Sequence, residues 1–262
     1  MRQTALITGA SRGIGRELAR VFAENDFDLI AVARSEEPLR ELEKECRDEH
    51  GSEILVLPMD LLDRAAPARL LEATLQHGRP IDVLVNDAGV LETGLFAGID
   101  LDAQLRIVDL NVRALTELTH CFLPGMLARG SGRILNVAST AAFQPVPMLA
   151  LYAASKAFVL SLSESLSEEL RDTSVTVTAL CPGLTRTDML DRVQDTNAVA
   201  RWTPDFLLSD VRSVAEEGYA ACLAGRAISV PGLPNRLMAN VTPLYPRWLV
   251  RGVLGFIGRR TT

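Results

Sequence analysis

Short runs of branched and apolar residues recur along the chain, each separated from the next by a helical pattern. They are "TALITG" (4–9), "DLIAVA" (28–33), "EILVLP" (53–58), "IDVLVN" (81–86), "GRILNVAS" (132–139), "SVTVTALCP" (174–182) and "AISV" (227–230). Most are continuous rather than alternating. A strand that is apolar on both sides must be covered on both faces, the situation in a parallel sheet sandwiched by helices. The intervening stretches, such as "IGRELARVFAEN" and "EEPLRELEKECRDEH", place apolar residues three or four apart, as a helix with one buried stripe does. Strand, helix, strand in repetition implies right-handed crossovers. The expected fold is α/β: a Rossmann-type, doubly wound parallel sheet of about seven strands with helices on both faces.

Composition narrows the rest. With 262 residues, 48% of them hydrophobic, the chain can bury one large core. No repeat, low-complexity segment or linker interrupts it, so 1–262 reads as a single domain. A net charge of −6 argues against nucleic acid as a partner. Cys46, Cys121, Cys181 and Cys222 are far apart, as reduced thiols of a cytoplasmic protein would be. Three histidines without ligand spacing give no metal site. The amino terminus enters a strand at once, which leaves no room for a signal peptide, and no run of 18 apolar residues offers a membrane span.

In such a sheet, ligands bind beyond the carboxyl ends of the strands. "TGASRGIG" (8–15) lies there, after the first strand and at the start of the first helix. Gly9 suits a tight turn, Gly13 a close approach of backbone to pyrophosphate, and Gly15 close packing of helix on strand. Free N–H groups and a positive dipole end await phosphate at the helix start. Ser11, Arg12 and Ile14 complete the loop as candidate cofactor contacts. The second strand ends in "AVARSEE", with Ala33 where a ribose-binding acid would stand and Arg34 next. Arg34 and Arg12, with no carboxylate between them, suit a 2′-phosphate, so the expected cofactor is NADP(H).

Lysine is rare here. Against 25 arginines there are two lysines, and one of them, Lys156, stands four residues after Tyr152 in "LYAASKAF". With three tyrosines in the chain, chance would give that pairing about 0.02 times. On a helix the two share a face. Tyrosine, with a pKa of about 10, needs help to exchange protons at neutrality. A nearby ammonium is expected to lower that pKa and to hold ribose hydroxyls, which a planar guanidinium would crowd. Ser139, at the end of the fifth strand, is placed to hold a carbonyl oxygen. Asn111 interrupts an apolar helix face in "IVDLNVRAL" and, buried, needs partners; a water linking Lys156 to solvent is one.

These motifs resemble the short-chain dehydrogenase/reductase family, in its branch of about 250 residues, from Thr4 to about Gly232. The resemblance matches Thr8, Gly9, Gly13 and Gly15 to the family's glycine loop, and Asn111, Ser139, Tyr152 and Lys156 to its catalytic residues. It implies an adenine-side contact at Asp60 and its neighbour Leu61. It implies further cofactor contacts at Asn86, Ala88, Gly89, Pro182 and Gly183, with Thr185 or Thr187 near the nicotinamide amide. One departure is visible: the family's usual Asn-Asn-Ala-Gly is "NDAG" here, with Asp87 second. The implied activity is NADP(H)-dependent interconversion of a carbonyl and an alcohol, in a homodimer or homotetramer. The rival reading is a regulator or scaffold that binds the cofactor without turnover.

The substrate is left to the loop after the sixth strand, 186–210. Met189, Leu190, Val193, Trp202, Phe206 and Leu207, with Phe143 and Gln144, are candidates for an apolar pocket. From Gly218 onward the chain has six arginines and no acid. Within the extension 233–262, residues 244–260 draw an apolar stripe flanked by arginines. That stripe either packs on this domain or a second subunit, or rests on anionic lipid as a peripheral membrane contact.

Overall fold

Thr8 aligns with Val32 on one side and Asn86 on the other, which fixes where the chain turns back. β1 (Gln3–Thr8) pairs in parallel with β2 (Phe27–Ala33) and with β4 (Val83–Asn86). β3 (Ile54–Pro58) lies outside β2, and β5 (Gly132–Val137), β6 (Val175–Leu180) and β7 (Ile228–Ser229) follow β4. The order is β3-β2-β1-β4-β5-β6-β7, with every pairing parallel. The computed structural model describes residues 2–187, 190, 208–242, 245–246, 248 and 252. The expected seven strands are therefore all present, and the crevice between β1 and β4 is the switch point of a doubly wound sheet.

Alternation of side chains explains the continuous apolar runs. Ala5, Ile7, Leu29, Ala31, Val83 and Val85 face one core layer, while Leu6, Ile30, Leu84 and Ile134 face the other. The first layer is closed by α1 (Gly13–Glu24), α2 (Glu36–His50) and α7 (Val211–Leu223) through Leu18, Phe22, Leu39, Leu42 and Val214. Phe22 meets Phe27 and Tyr219 edge-on, with ring centroids 5.0 and 4.9 Å apart. The second is closed by α3 (Ala66–His77) and α5 (Leu115–Arg129) through Leu70, Leu118, Phe122 and Met126. Leu6 and Ile30 are fully buried, and truncating either to alanine costs roughly 2–5 kcal/mol.

Several details depart from the sequence pattern. β4 begins at Val83, and just before it the Asp82 carboxylate accepts the Thr4 N–H at 2.8 Å. Between α4 (Leu101–Val108) and α5 the helix widens to a π turn at Asp109–Ala114, which carries Asn111. α6 (Ala150–Glu169) carries Tyr152 and Lys156, and α8 (Leu233–Val241) was not visible as a separate element in the sequence. The four cysteines are free thiols. Among the described residues no helix is long and apolar enough to cross a membrane.

The loop after β6 leaves and returns at one place. Thr185 and Ser209 form a parallel bridge; Ser209 donates to the Leu184 carbonyl at 2.8 Å and Arg186 to that of Ser209 at 3.2 Å. Leu190, in between, is buried. The pocket candidates Met189, Val193, Trp202, Phe206 and Leu207 lie outside the described residues. So does most of the stripe in 244–260, except Tyr245 and Trp248, both exposed.

Candidate active site

The strand register lines up Thr8, Asn86, Asn136 and Ala179, so the loops following β1, β4, β5 and β6 open on one edge. Gly9 turns the chain there with φ +75°, a conformation glycine adopts without strain, and donates to the Val32 carbonyl at 2.9 Å. The Thr8 hydroxyl accepts from the N–H groups of Asp87 and Ala88, both at 3.2 Å, and donates to the Val85 carbonyl. Gly15 has no room for a side chain: a β-carbon would lie 2.5 Å from Asp87 Oδ2 and 2.6 Å from the Gly9 carbonyl oxygen.

α1 starts with no side-chain cap from Arg12 and no acid in its first turn. Its N-terminus thus keeps donors and positive dipole for an anion. Arg12 and Arg34 are exposed, Ala33 ends β2 beside them, and Ser11 is half-buried. Ile14 packs on the core below. These residues fit the diphosphate and 2′-phosphate of a dinucleotide.

Across the edge, α6 sets Tyr152 and Lys156 on one face. Lys156 is 6% exposed, and its Nζ donates to the Val137 carbonyl at 2.7 Å, 5.8 Å from the Tyr152 ring centroid. Burial lowers the Lys156 pKa to about 8, against the opposing pull of Asp87 and Cys181. Burial pushes Tyr152 up to about 12; a hydrogen bond from Ser139 opposes the rise and Asp87 adds to it. This corrects the expectation of a lowered tyrosine. Desolvation dominates, and the ammonium is directed at a backbone carbonyl. Ser139 accepts from the Ala141 N–H at 3.1 Å and starts a short 3₁₀ turn, Thr140–Phe143.

Asn111 is buried and its carboxamide is fully engaged with protein. Oδ1 accepts from Val90 N–H at 2.9 Å, while Nδ2 donates to the Val90 carbonyl at 2.9 Å and to Ser155 Oγ at 3.1 Å. Through these bonds the side chain locks the loop after β4 onto α6. Gly89 lies between: a β-carbon there would be 3.2 Å from Asn111 Oδ1 and 3.7 Å from Lys156 Nζ.

Asp87, the departure from the usual motif, is the most perturbed carboxyl among the described residues. Burial raises its pKa to about 7, offset in part by Lys156 and by the Gly15 N–H that it accepts. Beside it, the Asn86 side chain is turned into the interior, donating to Asn136 Oδ1 at 2.9 Å and Thr119 Oγ1 at 3.3 Å. Leu61 is also core, and Asp60 is exposed with its carboxylate on the Leu62 N–H at 3.0 Å. Ala88 is half-buried.

The loop after β6 reaches back to the glycine loop. A β-carbon on Gly13 would lie 3.5 Å from the Thr187 methyl, and Thr187 Oγ1 donates to the Thr185 carbonyl at 3.3 Å. Thr185 is buried on the Gly183 carbonyl, and the Pro182 carbonyl accepts from Thr140 N–H at 2.8 Å. Phe143 packs on the small cluster around Val159 and Cys181, with Gln144 half-buried after it. Two features escaped the sequence reading. Met148, left-handed at φ +66°, accepts the Gly94 N–H at 2.9 Å and joins the loops flanking the crevice. Asn136 donates to Ser163 Oγ at 3.0 Å and fixes α6 to β5 from below. A buried asparagine in "ILNV" was the one signal available for the second; nothing in "PVPMLA" announces the first.

Residues 3–198 match the family model described as short chain dehydrogenase. The chain belongs to the short-chain dehydrogenase family. Its relatives include the ketoacyl reductase HetN of a Nostoc species, 35% identical over 69% of this chain and 63% of that protein's length. The NADP-dependent 3-hydroxy acid dehydrogenase YdfG of Salmonella typhi is 38% identical over 68% of this chain and 71% of its own. Among solved structures, a short-chain dehydrogenase from Sphingobium yanoikuyae in complex with NADPH superposes with a TM-score of 0.81 at 32% identity. That match covers 92% of this chain and 93% of the other. The chain thus spans less than two thirds of the HetN protein.

Proposed function

We propose that this short-chain dehydrogenase is an NADP(H)-dependent oxidoreductase that interconverts a ketone or aldehyde with an alcohol on a predominantly apolar substrate. The observation that carries the reading is the convergence of Ser139, Tyr152 and Lys156 opposite an uncapped glycine-loop helix. The names of its relatives, a ketoacyl reductase and a 3-hydroxy acid dehydrogenase, support a carbonyl-alcohol pair. Arg12 and Arg34 would hold the 2′-phosphate, and Gly9, Gly13 and Gly15 leave space for the diphosphate. Thr185, Thr187 and Gly183 would border a bound nicotinamide, which would supply or accept hydride.

In reduction, the Ser139 hydroxyl donates to the carbonyl oxygen and fixes it beside Tyr152. With its pKa up at about 12, Tyr152 stays protonated at neutrality and gives its proton to the oxygen as the carbon gains hydride. Lys156, whose pKa burial lowers to about 8, stabilises the resulting tyrosinate by its charge. Asn111 is a positioning residue. We place the protein in the cytoplasm as a homodimer or homotetramer of single-domain subunits, with 186–210 forming the substrate loop.

A panel of ketones, from short aliphatic to acyl-chain and steroid, followed by NADPH absorbance, tests this. Turnover that falls at least a thousandfold in Tyr152→Phe is the expected result. Tight NADPH binding with no turnover on any carbonyl or alcohol would instead favour the scaffold reading.

A further inference from the structure

Large apolar side chains left in solvent gather around α8. Leu233, Leu237 and Val241, spaced by four, are 68%, 58% and 41% exposed, and Tyr245 and Trp248 just beyond are 52% and 68% exposed. The opposite side of the helix is occupied. Ala239 is buried, and Asn235 Nδ2 donates to the Pro231 carbonyl at 2.9 Å and to Ser209 Oγ at 3.4 Å. Asn235 also lies against Gly183, where a β-carbon would be 2.5 Å from its amide. α8 is therefore fixed beside the loop after β6 with its leucines turned outward. Leu184, on that loop, is 40% exposed.

Charge tells what covers this face. From Gly218 to the end the chain has six arginines and no acid, although the whole carries −6. Arg236 is paired with Glu217, but Arg247, Arg251, Arg259 and Arg260 follow in a stretch rich in Leu, Val, Phe and Ile. A second copy docking through the same face would bring two acid-free, arginine-rich segments together, because a two-fold interface is self-complementary. A surface of anionic headgroups neutralises the arginines and takes up leucine and tryptophan at once.

We propose that the exposed face of α8, with the arginine-rich segment after it, docks on an anionic lipid bilayer. The mouth of the crevice at Gly183–Thr187 then lies close to the bilayer, and a lipophilic carbonyl compound reaches it without crossing water. This surface stands apart from the catalytic reading.

The test is sedimentation of the full chain with phosphatidylcholine vesicles, with and without phosphatidylglycerol. Binding only to the phosphatidylglycerol vesicles at low salt, and its loss at high salt, is expected. Leu233→Ser, Leu237→Ser and Trp248→Ser together should abolish it. Arg→Gln at 247, 251, 259 and 260 should weaken partition by about fivefold per residue. Circular dichroism and gel filtration of the variants should match wild type. A chain that ignores anionic vesicles, a triple variant that binds like wild type, or a triple variant that changes oligomeric state would overturn the proposal. NADPH binding, measured on the same samples without vesicles, reports separately on the active site.

Discussion

Lys156 Nζ donates a hydrogen bond to the carbonyl oxygen of Val137 across 2.7 Å, so the end of β5 fixes the one ammonium beside Tyr152. A guanidinium at 156 would be longer and planar, and could not place a single donor on that carbonyl while keeping clear of Gly89 and Asn111. Lys156→Arg is expected to keep the fold and lose turnover by a hundredfold or more. Steady-state kinetics at matched thermal stability check this, and turnover within a few-fold of wild type would refute it.

Ala33 ends β2 and Arg34 is exposed next to it. Replacing them by Asp and Ser puts a carboxylate where a ribose 2′-hydroxyl would sit and removes a partner for the 2′-phosphate. A charge-assisted hydrogen bond contributes roughly 1.5–3 kcal/mol, so NADPH affinity should fall about ten- to a hundredfold while NADH affinity rises. Titrations of both cofactors by fluorescence decide the matter; equal affinities in the unmodified protein would end the assignment.

Asp87 links pH to stability. Its folded pKa of about 7 exceeds the 3.8 of an ordinary aspartate, so the folded chain holds this proton more tightly than the unfolded one. The stability it contributes is full below pH 4, declines as pH rises through 7, and is level above. The loss is roughly 2–4 kcal/mol. Lys156 acts in the opposite sense, gaining stability for the fold as pH rises above about 8. Asp87→Asn keeps an acceptor for the Gly15 N–H and removes the charge. Its melting temperature should exceed wild type at pH 8 and match it near pH 4. Because an anionic Asp87 lies under the phosphate-binding helix end, NADPH affinity of wild type should weaken from pH 6 to 8 and that of Asp87→Asn should not.

Asn111→Ala removes three hydrogen bonds and leaves the Val90 N–H and carbonyl without their partner. A cost of roughly 2–3 kcal/mol is expected, a drop of about 4–12 °C in melting temperature for a chain of this size. If Asn111 positions and does not itself react, kcat should fall with KM for the carbonyl nearly unchanged. Asn111→Asp, which retains the Oδ1 acceptor, should recover part of the stability.

The sheet was legible because its strands are apolar on both faces, and the site because its residue types are rare: one lysine near one tyrosine, three glycines after a strand. Charge balance at Ala33 and Arg34 pointed to the cofactor for the same reason. What escaped depends on burial and on contacts far apart in sequence. Tyr152 rises where the sequence suggested a fall, since desolvation is invisible until the chain is folded. The turn of Asn86 into the interior needs Asn136, fifty residues away, to be seen. Met148 adopts φ > 0 without glycine, and no local pattern marks it.

The bridge between Thr185 and Ser209 has a consequence for how such a chain changes over generations. Both ends of the excursion are held by backbone hydrogen bonds, which are indifferent to side-chain identity. Residues between them can be exchanged, lengthened or shortened while β6, α7 and the Tyr152 face of α6 keep their registers. The loop is thus a socket. On the proposed function, in which 186–210 is the substrate loop, a new substrate preference would arrive as a replacement insert, leaving Ser139, Tyr152 and Lys156 in place.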